Sequence, residues 1–284
     1  MATKLRHAIC NEVFQGVPFH DACRAIRAIG YQGIEIAPFT LSETPADIGM
    51  EGRRQYRDIM RSEGLEFVGL HWLMVAPKGL HVTTPDNALR ARSWDHIRDL
   101  IDLCADLAGN TPRPNGVMVF GSPFQRGTTA GSSREDAVLR FRDGFAAVSN
   151  HALERGVTLL VEALPGAQCD VVNTLAQALE IVRYCNSPAV QTMFDTHNAL
   201  DETESHESIV RKYYSHIRHI HVNELDGKHP GKGGYDFKPL LATLADLNYS
   251  GWVSLEAFDF SFGAETIATE SLRYLQLETE RIAA

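Results

Sequence analysis

Eight short apolar runs, each followed by a longer amphipathic stretch, constrain the fold of this 284-residue chain more than any other feature. The runs are HAICNEV (7–13), GIEIAPF (33–39), EFVGLHWL (66–73), GVMVFGSP (116–123), VTLLVEALP (157–165), VQTMFDTHN (190–198), IRHIHVNE (217–224) and GWVSLEAF (251–258). Each is nearly continuous in apolar residues and bounded by Gly, Pro or polar positions, as parallel strands buried on both faces require. The clearest helix between them runs from Pro85 to about Ala108, with Trp94, Ile97, Leu100, Ile101, Cys104 and Leu107 at helical spacing. Thr84 is its expected N-cap and Pro85 its first residue. Another helix begins near Asn173 and carries Leu175, Leu179 and Val182 on one stripe. Eight such pairs predict an α/β fold, a single (β/α)8 barrel over residues 1–284. An open doubly wound sheet would have fewer strands and a Gly-rich turn after the first, which is absent.

Composition fits one large core and limits the partners. Hydrophobic residues make up 44% of the chain, and the formal charge is −9. With no long Lys/Arg cluster, a nucleic-acid surface is not expected. No apolar stretch approaches the ~18 residues of a membrane span. The N-terminus, MATKLRHAICNEVF, enters the first strand without a signal-peptide profile, and the five cysteines (10, 23, 104, 169 and 185) form no CxxC pair. Reduced thiols and a cytoplasmic location are the expectation.

The chemistry is read from strand ends. Run five contains LLVE162, run six TMFD195-T-H197, run seven H219-I-H221-V-N-E224, and run eight VSLE256. A carboxylate directly after several apolar strand residues is costly unless something pairs with it. A lone acid there is usually a cap or an ion pair. Four successive strands bringing such groups to one end of a barrel point instead to a divalent cation. Glu162, Asp195, His221 and Glu256 would offer three carboxylates and one imidazole. That hard set favours Mn2+, with Mg2+ or Co2+ next, and Zn2+ also accepts such ligands. Loops 124–133 and 225–236 are long for this position and are candidate lids or clamps, or else ordinary surface insertions.

These residues carry a resemblance. The strand-5 Glu, the D-T-H segment, the H-x-H-x-x-E followed by H-P-G-x-G, the strand-8 L-E-x-F, the TPDNALRARS helix start and the GSP exit resemble the xylose-isomerase-like TIM-barrel superfamily. The likeness is greatest to ketose 3-epimerases and hydroxypyruvate isomerases. It implies that Glu162, Asp195, His221 and Glu256 are the metal ligands, with Glu162 and Glu256 as the acid/base pair. The activity implied is isomerisation or epimerisation of a small keto-sugar or polyol-derived carbonyl through a metal-stabilised enediolate.

Around that centre, His197 is expected to bond substrate hydroxyls or to cap its strand. Lys228 aligns with a basic substrate contact of the family, or simply solvates its loop, which also carries Glu224 and His229. His71 and Trp72 either meet a sugar face or belong to the core. Gln125 and Arg126 are candidate substrate contacts, and Glu35 reaches the substrate or supports a ligand. Two departures bear on substrate. Ketose 3-epimerases carry a glutamate six positions after the strand-5 ligand, where this chain has Gln168, and their arginine after strand 7 is replaced by Lys or Gly.

A dehydratase resembling those acting on inosose or dehydroshikimate shares the first half-reaction and remains the alternative. An abasic-site nuclease would need more histidines and a DNA-binding face. A non-catalytic sugar-binding barrel would have broken ligands, and a phosphorylated substrate would use the GKGG turn at 231–234. A small carbohydrate is the expected partner, in a homodimer or homotetramer.

Overall fold

The computed structural model describes residues 5–109 and 116–283; MATK at the N-terminus, part of the stretch read for a signal peptide, lies outside them. Eight parallel strands close a barrel in sequence order: β1 (Arg6–Cys10), β2 (Gly33–Ile36), β3 (Glu66–Leu70), β4 (Val117–Phe120), β5 (Thr158–Val161), β6 (Val190–Asp195), β7 (Ile217–Val222) and β8 (Trp252–Leu255). β1 pairs with both β2 and β8, which closes the ring. The outer helices are α1 (Phe19–Ile29), α2 (Met50–Ser62), α3 (Asn87–Ala108), α4 (Arg134–Arg155), α5 (Leu175–Cys185), α6 (His206–Tyr213), α7 (Lys238–Asp246) and α8 (Ala264–Ala283). The fold is thus a (β/α)8 barrel, and no helix among the described residues is long and apolar enough to cross a membrane.

Every strand stops short of its sequence-expected end. The tails of the first two runs wind into 3-10 turns, Asn11–Phe14 and Pro38–Thr40. Apolar patterning cannot mark these ends, because the barrel mouth stays buried beyond the last paired residue. Helix α3 also begins later than expected. Its cap is Asp86, whose carboxylate accepts from Ala88 N and Leu89 N, while Thr84 Oγ1 receives Asp86 N. Asp86 leaves two amide donors satisfied by a full charge, which outweighs the preference for Pro85 at the first helical position.

Most of the apolar core lies between strands and helices, where Trp94, Phe120, Phe141 and Phe145 pack together. Gly144 makes that possible, since a Cβ there would sit 1.9 Å from the Trp94 ring. Residues two apart on a strand share a face. Hence Leu160 and Glu162, Met193 and Asp195, and His219 and His221 point the same way. Val119, Leu160 and Met193 form a separate small apolar cluster, and the same strand faces continue toward the strand ends in buried polar groups. The fold therefore delivers titratable side chains to the C-terminal mouth of the barrel.

Candidate metal and catalytic centre

Glu162 and Glu256 follow β5 and β8 directly, while Asp195 ends β6 and His221 lies on β7. One ligand atom from each lies within 4.8 Å of the others, and all four residues are buried. Glycine makes room for the first of them: a Cβ at Gly121 would lie 2.3 Å from Glu162 Oε2. Asn198 Nδ2 donates to Glu162 Oε1 at 2.9 Å, and its backbone N–H donates to Asp195 Oδ1 at 2.7 Å. Asn223 Nδ2 faces Asp195 Oδ2 at 3.4 Å. Trp72 Nε1 donates to Glu256 Oε1 at 2.7 Å. The Trp72 backbone takes a positive φ of 49°, a sparsely populated conformation for a side chain this bulky.

His221 is oriented by what lies beneath it. Its Nδ1 is 3.1 Å from Glu256 Oε2 and 3.6 Å from Asp195 Oδ2, while Nε2 is 3.1 and 3.2 Å from the two oxygens of Glu35. Glu35 also meets His219 Nε2 at 2.8 Å. A carboxylate holding the far nitrogen of a ligand imidazole fixes its tautomer and turns the near nitrogen toward the cluster. Although burial opposes ionisation, His219 and His221 keep the Glu35 carboxyl well below its usual range. His71 Nε2 meets Glu12 Oε2 at 2.8 Å, and both residues are buried.

The cluster's own electrostatics call for a cation. Burial, with the nearby Glu256 and Asp195 carboxylates, pushes the Glu162 carboxyl up to about 8. Burial raises Glu256 as well, against the pull of His221. Against burial, Glu35 and Glu256 hold the His221 imidazole well above its usual range, but that one positive charge does not offset three carboxylates in so small a dry volume. With three carboxylates, one imidazole and no thiol, the set fits a hard divalent ion.

The remaining sequence-expected residues divide. Trp72 stands at the centre, its ring stacked between Phe39 (6.0 Å, 15°) and Phe258 (6.1 Å, 9°). His197 lies at the rim, its Nδ1 2.9 Å from Leu225 O, its Nε2 3.3 Å from Gln168 Nε2 and its ring 5.0 Å from Phe258. His71 and Glu35 belong to the buried network under the cluster rather than to an exposed sugar-binding surface. Gln125 is half-buried, and its carbonyl receives Val82 N–H.

Four other candidates already have partners within the chain. Arg126 is fully buried and donates to the carbonyls of Phe120, Glu162, Val171 and Val172, which leaves it a structural clamp. Glu224 is buried too, accepting from Gly231 N at 2.8 Å and Tyr235 N at 2.9 Å, so its charge shapes the GKGG turn. His229 pairs with Glu270 at 3.2 Å and packs on Phe262. Lys228 is paired with Asp226 at 2.7 Å.

Sequence reasoning passed over Glu12, Asn198, Asn223, Phe39 and Phe258. Asn198 had a legible signal, its D-x-x-N spacing from Asp195, which suits an Asx turn. Glu12 had none, because it lies inside an apparently continuous strand run.

A barrel of this topology with a carboxylate-rich candidate metal centre at its C-terminal mouth defines the class. Residues 23–277 match the model of the xylose isomerase-like TIM barrel family, and the chain belongs to that family. A curated relative named "Probable ketose 3-epimerase", from Synechocystis sp., is 26% identical over 249 residues, covering 85% of this chain and 78% of its own. The fructoselysine 3-epimerase of Shigella flexneri is 22% identical over 278 residues, covering 94% and 96%. Among solved structures, the apo 3-keto-D-glucoside 4-epimerase of E. coli superposes with a TM-score of 0.82 at 18% identity, covering 96% of this chain and 100% of that one. An L-ribulose 3-epimerase structure gives 0.79 at 19% identity, covering 99% and 96%.

Proposed function

We propose that this chain is a divalent-metal-dependent epimerase or isomerase of an uncharged keto-sugar or polyol-derived carbonyl compound. The observation carrying this reading is the convergence of Glu162 and Glu256, from strands three apart around the barrel, with Asp195 and His221 in one buried cluster. Relatives named as 3-epimerases support the sugar class. Glu162, Asp195, His221 and Glu256 would hold the cation, Mn2+ first on the donor set, with Mg2+, Co2+ or Zn2+ as alternatives. When bound, it polarises a carbonyl and a neighbouring hydroxyl and makes the C–H bond between them acidic.

The chain's own residues do the rest. Glu162 is the first proton carrier, a carboxylate placed to take the C–H proton as general base. Asn198 fixes one of its oxygens at 2.9 Å and leaves the other free for the substrate carbon. Glu256, held by Trp72 and His221, is the second proton carrier. In epimerisation Glu256, protonated, gives its own proton to the opposite face of the carbon that Glu162 deprotonated, and the two carboxyls then re-equilibrate with solvent; in isomerisation the proton is delivered to the adjacent carbon. Trp72, Phe39 and Phe258 offer an apolar wall for the C–H face of a sugar ring, and His197 stands at the rim for a hydroxyl.

The substrate is uncharged on electrostatic grounds. Three cations after the strand ends already have partners, Lys228 with Asp226, Lys232 with Glu270 and Arg126 with backbone carbonyls, while Lys78 lies exposed on the loop after β3. A phosphate at the cluster itself would meet three carboxylates. Five free cysteines fit a reducing, cytoplasmic setting, and a homodimer or homotetramer completes the proposal.

The test is solvent-deuterium incorporation. Metal-loaded protein is incubated in D2O with uncharged ketoses, inososes and 3-keto-glycosides. Incorporation next to the carbonyl, lost in both Glu162→Gln and Glu256→Gln, supports the reading. A product with the ultraviolet absorption of a conjugated carbonyl would assign a dehydratase instead. No exchange with any uncharged carbonyl compound would defeat it.

A further inference from the structure

The opposite end of the barrel holds a cavity of about 970 Å3, reached by the starts of β1, β3, β4, β7 and β8 and by α2. Its walls carry four guanidinium groups, Arg6, Arg57, Arg61 and Arg218, against a single carboxylate, Glu66, among the described lining residues. That excess is notable in a chain whose net charge is −9. Arg6 uses Glu66 at 2.6 Å and lies over the Trp252 ring at 3.7 Å. Arg57 donates to Asp106 O at 3.2 Å, yet its buried Nε has no hydrogen-bond partner, and the Asp58 carboxylate stands 3.6 Å away. Arg218 donates only to the carbonyls of Ser215 and Ile217, and neither it nor Arg61 is in an ion pair among the described residues. Arg57 and Arg61 lie one turn apart on α2, where like charges repel. Between the guanidinium groups the walls are aromatic and apolar, including Phe67, Tyr214, Tyr249 and Trp252.

We infer that this cavity is a second binding site, for a small organic anion: a phosphate or carboxylate carried on an apolar, ring-sized body. Guanidinium forks match such oxyanions bidentately and also stack on rings. The aromatic walls take the body of the ligand, and the volume lies within the range of small-molecule sites. Because the cavity opens at strand starts, its ligand cannot be the compound that meets Glu162 and Glu256 at strand ends. It occupies the barrel as an effector or tether, separate from the substrate.

The probe is 8-anilinonaphthalene-1-sulfonate, titrated into the full chain by fluorescence, with phenyl phosphate and inorganic phosphate as competitors. The expected result is saturable binding of one dye per chain, displaced by phenyl phosphate at far lower concentration than by inorganic phosphate. Affinity falls at least about tenfold in the Arg61→Ser/Arg218→Ser double variant, both positions being exposed, with an unchanged melting temperature. A Phe260→Ser/Phe262→Ser variant, altered at exposed aromatic positions after β8, binds the dye like the parent. Absence of dye binding, binding indifferent to the arginine substitutions, or binding abolished by the phenylalanine substitutions would each overturn the assignment.

Discussion

Replacing Trp72 with Phe isolates one interaction in the proposed proton-transfer machinery. The ring, its stack on Phe39 and Phe258, and the positive φ are conserved, while the 2.7 Å donation from Nε1 to Glu256 Oε1 is lost. A hydrogen bond to a charged acceptor contributes about 1.5–3 kcal/mol. Since ~1.4 kcal/mol corresponds to one pKa unit and to tenfold in rate, two consequences follow. The Glu256 carboxylate, deprived of a donor that favours its charged form, should titrate about one to two units higher, moving the acidic limb of kcat/KM upward by that amount. The rate at the plateau should fall about ten- to hundredfold. The assay is the pH profile of turnover on whichever carbonyl substrate shows deuterium incorporation, with the melting temperature as control. An unshifted limb at unchanged rate, in a variant as stable as the parent, would refute the idea that Trp72 tunes Glu256.

Three further outcomes follow from the same contacts. With Glu162 pushed up to about 8, the metal-free centre holds a proton near neutrality that a cation must expel. His221 must lose a proton too, since Glu35 and Glu256 hold its imidazole, against burial, well above its usual range; chelator-competition titrations should therefore show metal affinity rising at least about tenfold per pH unit between roughly pH 6 and 8, and a pH-independent affinity would contradict this. Arg126→Met removes the donor shared by four buried carbonyls. It should cost on the order of 4 kcal/mol, a fall of about 7 °C in Tm by calorimetry, and a substrate-contact role would predict no such fall. Glu224→Gln leaves one of the Gly231 and Tyr235 amides without an acceptor. Hydrogen exchange across 225–236 should accelerate while metal content is unchanged, and about 1–3 kcal/mol of local stability is lost.

The barrel was legible because buried parallel strands leave an unmistakable run length, and eight of them with intervening helices admit few closures. The strand ends were not, since His71, Glu162 and Asn198 stay buried past the last paired residue and apolar patterning registers burial rather than pairing. In the candidate centre, Glu162, Asp195, His221 and Glu256 could be picked out because a charge after an apolar run is expensive. For Arg126 and Glu224 the same logic registers the charge but not its partners, which are carbonyls and loop amides of the chain itself. Sequence shows that a charge is near a strand end but not whether carbonyls or loop amides already satisfy it. Glu12 and Asn223 went unseen because nothing local separates a buried network member from a polar strand residue.

The proposed function rests on four side chains at the barrel mouth, Glu162, Asp195, His221 and Glu256, binding one divalent cation. Bound Mn, Co, Mg and Zn should be measured in purified protein after reconstitution, beside Asp195→Asn and Glu162→Gln variants. One equivalent per chain is expected in the parent, with most of it lost in both variants and the fold intact by circular dichroism. No metal in the reconstituted parent, or an undiminished equivalent in both variants, would contradict it.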